Sequence, residues 1–360
     1  MRKIQSYPLD QSPIFRLHSK RKLVELLGIS LKDLRFLLSL DNYRVWETHQ
    51  KRQDMLAGLP PPTKARKIQQ PKPLLFALHK RLALLLSRIQ KPEFVYSATK
   101  GRSYVDNASQ HKNIERVVKV DIKNFYPSIE RNAVRNFFAY DMQCAPDVAH
   151  VLSLLCCVNE SLSTGSPLSP VLSYFACLPL FRKIANMAAA QGLIFTLYVD
   201  DMVFSGANAT RGFSRLVVDE LARNGFVGHK ISHFSAAKVK IITGVAVWPN
   251  RIGVPHKRQK RIRLFEKAFW LNKNPDEIKI LGATLLGQYR EAERLQQGSR
   301  MRAKPIQDRL DVINSEGAAV LSSATKRRRP RVSLRCSKKV IEKLRKHSTS
   351  EAFDVPIIPN

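Results

Sequence analysis

The chain has 360 residues, room for two or three compact units with buried cores, and 44% of its residues are hydrophobic. Lys and Arg number 61 against 29 Asp and Glu, a formal net charge of +32; a surface that basic condenses on polyphosphate, so nucleic acid is the expected partner rather than a membrane. Five scattered cysteines with no C-x-x-C pair give little support to a disulfide framework or zinc site and fit a reducing cytoplasm, while the first residues do not read as a secretory signal and no apolar run has membrane-spanning length.

Leu23, Leu26, Leu27, Leu31, Leu34 and Leu38 recur at helical spacing, which predicts a helix over 20–40. Pro60, Pro61 and Pro62 break any helix. Residues 64–73 then read as a basic extended segment and 74–89 as a basic amphipathic helix. From Arg116 a β-rich run, RVVKVDI, ends in an acid. Helices are predicted at 131–140 and 146–158, followed by the loop LSTGSPLSP and a long helix from Pro170 to Ala190. LIFTLYV and MVFSG flank Asp200-Asp201 as the strands of a hairpin. A helix over 212–224 and a strand KIITGVAVW complete the order strand, helices, strand, strand, helix, strand of a split βαβ sheet. Helical segments continue from 257 to 314. The tail from Thr325 to Lys346 carries eleven basic residues and one acid, and the rest of the chain stays basic without it.

The sharpest chemical signal is Tyr198-Val199-Asp200-Asp201 between two β-runs. Asp is common in turns, where it caps backbone N–H groups, but adjacent carboxylates at a hairpin tip repel unless a cation relieves them. A second acid, Asp121, ends the apolar strand RVVKVD, where a charge is costly unless the strand end opens on a site. If these strands are neighbours, Asp121 and Asp200 meet at one edge. Hard divalent ions take oxygen ligands, and two Mg²⁺ ions held there would activate an attacking hydroxyl and stabilise a leaving pyrophosphate.

Three ordered segments, Asp121-Ile-Lys-Asn-Phe-Tyr-Pro-Ser-Ile129, Thr164-Gly-Ser-Pro-Leu-Ser-Pro170 and Tyr198-Val-Asp-Asp201, resemble the palm motifs of reverse transcriptases. Asn107-Ala-Ser-Gln-His111 resembles the Asn-Ala-x-x-His element of the retron branch, and Thr243-Gly244 its Val-Thr-Gly element, with Ile242 in place of Val. The resemblance covers residues 20–315. It implies an α+β right-hand polymerase fold: an N-terminal helical region and fingers over 1–115, an antiparallel-sheet palm over 116–250, a helical thumb over 251–315, and a basic tail over 316–360.

The resemblance also implies roles, residue by residue. Asp121 and Asp200 would hold two Mg²⁺ ions with the carbonyl of Ile122, and Asp201 would tune the site or bind metal transiently. Tyr126 stands at the steric-gate position that favours deoxynucleotides. Gly165, Ser166 and Pro167 would lie under the incoming nucleotide, Lys64 and Arg66 would grip its triphosphate, and Lys230 would protonate pyrophosphate. Asn107, His111, Thr243 and Gly244 would contact or shape the RNA site, and Lys257, Arg258 and Arg261 would follow a duplex backbone. Two departures from the family stand out: Thr164 replaces a usual Gln, and Asn124 replaces a frequent acid. The implied activity is RNA-directed DNA synthesis from dNTPs on a cognate structured noncoding RNA. It would give a branched RNA–DNA product (msDNA) in an antiphage system with a separately encoded effector. The alternatives are a reverse transcriptase of another lineage, such as an intron maturase, and a non-catalytic RNA-binding protein.

Overall fold

The computed structural model describes residues 6–39, 41–112, 116–235 and 238–326, with 316–326 as backbone only. In chain order the strands are β1 (Tyr43–Glu47), β2 (Lys67–Pro71), β3 (Val117–Ile122), β4 (Cys157–Val158), β5 (Ser161–Leu162), β6 (Ile194–Tyr198), β7 (Asp201–Ser205), β8 (Gly228–Phe234), β9 (Lys240–Ile242), β10 (Val245–Val247) and β11 (Ile252–Gly253). Helices dominate the remainder, so the fold is mixed α+β.

Two predicted helices are each broken in two. The first gives Lys20–Leu27 and Leu31–Ser39, because Gly28 turns left-handed (φ 69°) and its N–H closes on Glu25 O. The second gives Ser169–Ala176 and Leu178–Ala190; Pro179 has no N–H to continue the ladder, and the helix restarts with that proline in its first turn. The helix Pro73–Ser87 forms as one piece, also with its proline in the first turn.

β3, β6, β7 and β8 build an antiparallel sheet in the order β6-β7-β3-β8, the strand order of a split βαβ unit. Its fourth strand is not the expected run KIITGVAVW. That run folds back at Thr243 and Gly244, whose φ angles of 45° and 77° suit a tight hairpin turn. It becomes β9 and β10, which join β11 in a separate three-stranded sheet. The place in the main sheet goes to Gly228–Phe234, a half-exposed strand with little apolar alternation to announce it.

The two faces of this sheet differ. Val118, Val120 and Ile122 of β3, Met202 and Phe204 of β7, and Phe195 and Leu197 of β6 are buried, and the helices Leu178–Ala190 and Arg211–Arg223 pack with these strands. Phe204 stacks on Phe195 at 4.8 Å and meets Phe213 edge-on at 5.1 Å. The opposite face presents Lys119 and Asp121 from β3 and Asp201 from β7, by the two-residue period of strands.

Residues Met1–Asp308 form one compact unit and Arg309–Asn360 a second. Of the second, the described part is helical backbone to Lys326. The helix Lys304–Lys326 runs through residue 315, where the basic tail was expected to begin; Arg327 onward, Cys336 included, lies outside the described residues. Cys144, Cys156, Cys157 and Cys177 are buried free thiols. No helix among the described residues is long and apolar enough to cross a membrane.

Phe204→Ala should cost about 3–5 kcal/mol of stability, because the void would open between the stacked ring of Phe195 and the edge-on ring of Phe213. Urea unfolding followed by circular dichroism measures it.

Candidate active site

Asp121 lies near the end of β3, directly across from Asp201 at the start of β7. Asp200 occupies the turn between β6 and β7, and its carbonyl accepts the Ile122 N–H at 3.2 Å. The preceding Val199 has φ 59°, a left-handed conformation that costs a β-branched residue about 1–3 kcal/mol. A flanking segment holds the turn in place. Ser97 Oγ accepts the Val199 N–H at 3.0 Å, Phe94 O accepts from Leu197 N–H at 2.7 Å, and Leu197 O accepts from Tyr96 N–H at 2.9 Å.

Three carboxylates at one sheet edge are electrostatically costly. Burial first, then the charges of Asp121 and Asp201, push Asp200 up to about 6, outweighing the pull of Lys119. Burial also raises Asp201, opposed by Lys119. Basic groups answer the excess charge. Lys119 Nζ sits 2.9 Å from Asp201 Oδ2, while His229 Nδ1 and Lys230 Nζ lie 3.3 and 3.6 Å from Asp121 Oδ2. Lys119, Asp121, Asp201, Lys230 and Ser232 line a common cleft.

Among the described residues, no group of three or more His, Cys, Asp and Glu side chains is arranged to hold a metal ion. Asp201 is committed to Lys119 instead. Asp121 and Asp200 nevertheless fit Mg²⁺, which uses one or two carboxylates and completes its shell with water and phosphate. Burial and the two neighbouring carboxylates raise Asp200, a cost that a bound cation would offset.

Tyr126, on the short helix Phe125–Ser128, is partly buried; burial and then the nearby Asp200 charge hold its phenol above the usual range. Gly165 stands where the chain crosses β2: its N–H donates to Gln69 O at 3.2 Å, and a Cβ there would lie 2.8 Å from that oxygen. Ser166 is buried against His79, with 2.7 Å between its hydroxyl and Nδ1, while Nε2 is 2.8 Å from Leu155 O. His79 is a residue that sequence reasoning passed over; its only signal is a histidine on the buried face of an otherwise leucine-rich helix. Lys64 and Arg66 are exposed residues leading into β2, and of these three cations Lys230 is the one that lies beside the carboxylates.

The retron-like segments meet each other rather than the carboxylates. Asn107 Nδ2 approaches Thr243 Oγ1 at 3.4 Å, and Thr243 Oγ1 donates to Tyr104 O at 2.9 Å. Asn107 and His111, expected to contact or shape the RNA site, are both 0% exposed. His111 is wedged under the sheet, its ring nitrogens 2.6 Å from Ser205 Oγ and 2.7 Å from Thr196 Oγ1. Gly244 is exposed at the hairpin tip and faces Arg258. On the helix His256–Leu271, Arg258 pairs with Glu291 at 3.8 Å and Arg261 with Asp54 at 2.6 Å. Both are therefore tied to the protein, and Lys257 is left with Lys260, Arg263 and Lys267 on the exposed face.

Asp200→Asn should stabilise the metal-free protein by about 1–2 kcal/mol, since it removes a desolvated charge from between two carboxylates; partial solvent access keeps the gain below the full shift. Thermal unfolding in EDTA against the parent protein checks it.

No family model matches the chain. Among curated proteins it is 26% identical over 245 residues to the retron Ec86 reverse transcriptase of Escherichia coli, covering 65% of this chain and 73% of that protein. It is 27% identical over 295 residues to the retron Ec48 reverse transcriptase of the same organism, covering 73% of this chain and 66% of the relative. With the retron Se72 reverse transcriptase of Salmonella heidelberg it shares 32% over 146 residues, 39% of this chain and 38% of the relative. Over 65% and 73% of its length, respectively, the chain is thus similar to the Ec86 and Ec48 retron reverse transcriptases.

Proposed function

We propose that this protein is an RNA-directed DNA polymerase of the retron type. The observation that carries the reading is the register pairing of Asp121 with Asp201, with Asp200 at the adjoining turn and Tyr126 beside it. In this reading the sheet β6-β7-β3-β8 is the palm, the β1–β2 hairpin with the preceding helices belongs to the fingers, and the helices from His256 form the thumb.

Asp121 and Asp200 would hold the divalent ions with the carbonyl of Ile122. When bound, two Mg²⁺ ions supply activation of the primer hydroxyl and neutralise charge on the leaving pyrophosphate. Asp201, drawn to Lys119, contributes negative potential beside them. The Tyr126 ring limits space at the sugar 2′ position, which favours dNTPs over rNTPs. Gly165, Ser166 and Pro167 form the floor under the nucleotide, where an absent side chain permits close approach. Lys64 and Arg66 meet the triphosphate, and Lys230 is placed beside Asp121 to deliver a proton to pyrophosphate. The exposed cations Lys257, Lys260, Arg263 and Lys267 follow the phosphates of the template duplex. Arg258 and Arg261 support that helix from below.

The finer reading is that the template is a cognate structured noncoding RNA primed from a guanosine 2′-hydroxyl, that the product is msDNA, and that a separately encoded effector completes an antiphage system. Its support is the family relationship together with the contact between Asn107 and Thr243, which joins the two segments resembling retron-specific elements.

Asp121→Ala and Asp200→Asn should each lower Mg²⁺-dependent primer extension about a thousandfold or more, while RNA binding stays within about threefold. Near-normal extension by either variant removes the assignment. Filter binding across 50–200 mM salt should show affinity falling by orders of magnitude, because phosphate contacts dominate.

A further inference from the structure

The loop that follows β5 lies against an edge of β2 to which β1 does not bond. A two-stranded hairpin is marginal by itself, and an open edge needs cover. Thr164 supplies it. Its Oγ1 donates to Lys67 O at 2.8 Å and accepts from Gln69 N–H at 3.2 Å. The next residue continues the ladder, with Gly165 N–H on Gln69 O at 3.2 Å. Three hydrogen bonds from two consecutive residues thus join parts of the chain 95 to 97 positions apart.

A threonine hydroxyl has one proton. Here that proton is committed to Lys67 O, so Thr164 has none left to donate to a bound nucleotide. A longer amide at this position could reach past the strand; threonine cannot. The far side of the same loop is fixed independently. The Ser166 hydroxyl accepts from Leu168 N–H at 3.0 Å and lies against His79 Nδ1, and the histidine is anchored through Nε2 on Leu155 O. Burial keeps this imidazole neutral, holding it down to about 4.

We propose that Thr164 is a positioning residue that latches the β1–β2 hairpin to the loop Thr164–Pro167 and so sets the gap between the cationic approach of Lys64 and Arg66 and the floor on which an incoming dNTP rests. The proposal rests on the reading of this loop as the nucleotide site. Thr164 acts through β2 and not by touching substrate. Loss of its hydroxyl leaves Lys67 O and Gln69 N–H unpaired and lets the hairpin drift, while the carboxylates stay where they are.

The test uses the full chain with an RNA template, a DNA primer and Mg²⁺. Thr164→Val keeps the shape and removes the hydroxyl; it should raise the KM for dNTP about tenfold, the scale of two lost hydrogen bonds, with kcat changed less than about twofold. Thr164→Ser should remain within about threefold of the parent in KM. Amide exchange across residues 67–70 should accelerate at least about fivefold in the valine variant and not in the serine variant. Thr164→Ala serves the same comparison if valine strains the loop. An unchanged KM or unchanged exchange in the valine variant overturns the latch, as does a loss confined to kcat. Gly165→Ala separates the two readings: its Cβ would collide with Gln69 O, so it should raise KM whether or not the latch exists. If Gly165→Ala alone raises KM, the latch fails and the nucleotide site stands. If neither variant does, the loop is not the nucleotide site.

Discussion

Antiparallel pairing of β3 with β7 sets Asp121 opposite Asp201, and the rest of the site responds to that repulsive juxtaposition. The register cannot slip to relieve it. Val118, Val120 and Ile122 alternate with Lys119 and Asp121 along β3, and a shift of one residue would drive the charged pair into the helix-packed face and the valines into the cleft. Hydrophobic burial on one face therefore dictates charge crowding on the other. The strained Val199 turn adds Asp200 to the cluster, and hydrogen bonds from the Phe94–Ser97 segment maintain that turn. Lys119 pairs with Asp201, and His229 and Lys230 lie beside Asp121, while burial and those two carboxylates keep Asp200 raised.

His111 and His79 show how buried polar groups organise the surroundings without joining the chemistry. Each is neutral by burial, pushed down to about 3 and about 4, and each has both ring nitrogens matched to partners. His111 ties the helix Tyr104–Ser109 to β6 and β7, and His79 ties Pro73–Ser87 to the loop at Ser166. A fully satisfied buried histidine rigidifies; one left half-paired would cost more than an apolar side chain.

What the sequence discloses follows from which features are local. The convergence of Asp121 and Asp200 is legible because an acid that ends an apolar strand and a doubled acid in a hairpin turn are each locally anomalous, and one sheet resolves both. The helix Pro73–Ser87 is legible from its leucine periodicity. β8 is not, since half-exposed Gly228–Phe234 lacks alternation and gains its place by pairing with β3 and packing against the helix Arg211–Arg223. KIITGVAVW misleads for the opposite reason: its apolar run suits a strand, while the Thr243–Gly244 turn depends on the bond from Thr243 to Tyr104 O, far away in sequence. The partners of Arg258 and Arg261 are likewise set by tertiary contacts that a helical charge pattern does not contain.

The contact of Asn107 with Thr243 extends into the helices beyond the sheets. Tyr104, which accepts the Thr243 hydroxyl at its carbonyl, also donates its phenol to Glu291, and Glu291 pairs with Arg258 beside Gly244. One network therefore joins the helix Tyr104–Ser109, the β9–β10 hairpin and the two helices His256–Leu271 and Pro275–Glu293. His111, two residues past the first of these elements, anchors the same network to the strands that flank Asp200. Hydrogen bonds and the Arg258–Glu291 ion pair thus link the basic helix to the carboxylate sheet. Such bonds hold only at specific geometry, so a displacement of the basic helix must either break them or carry the Asn107 segment along.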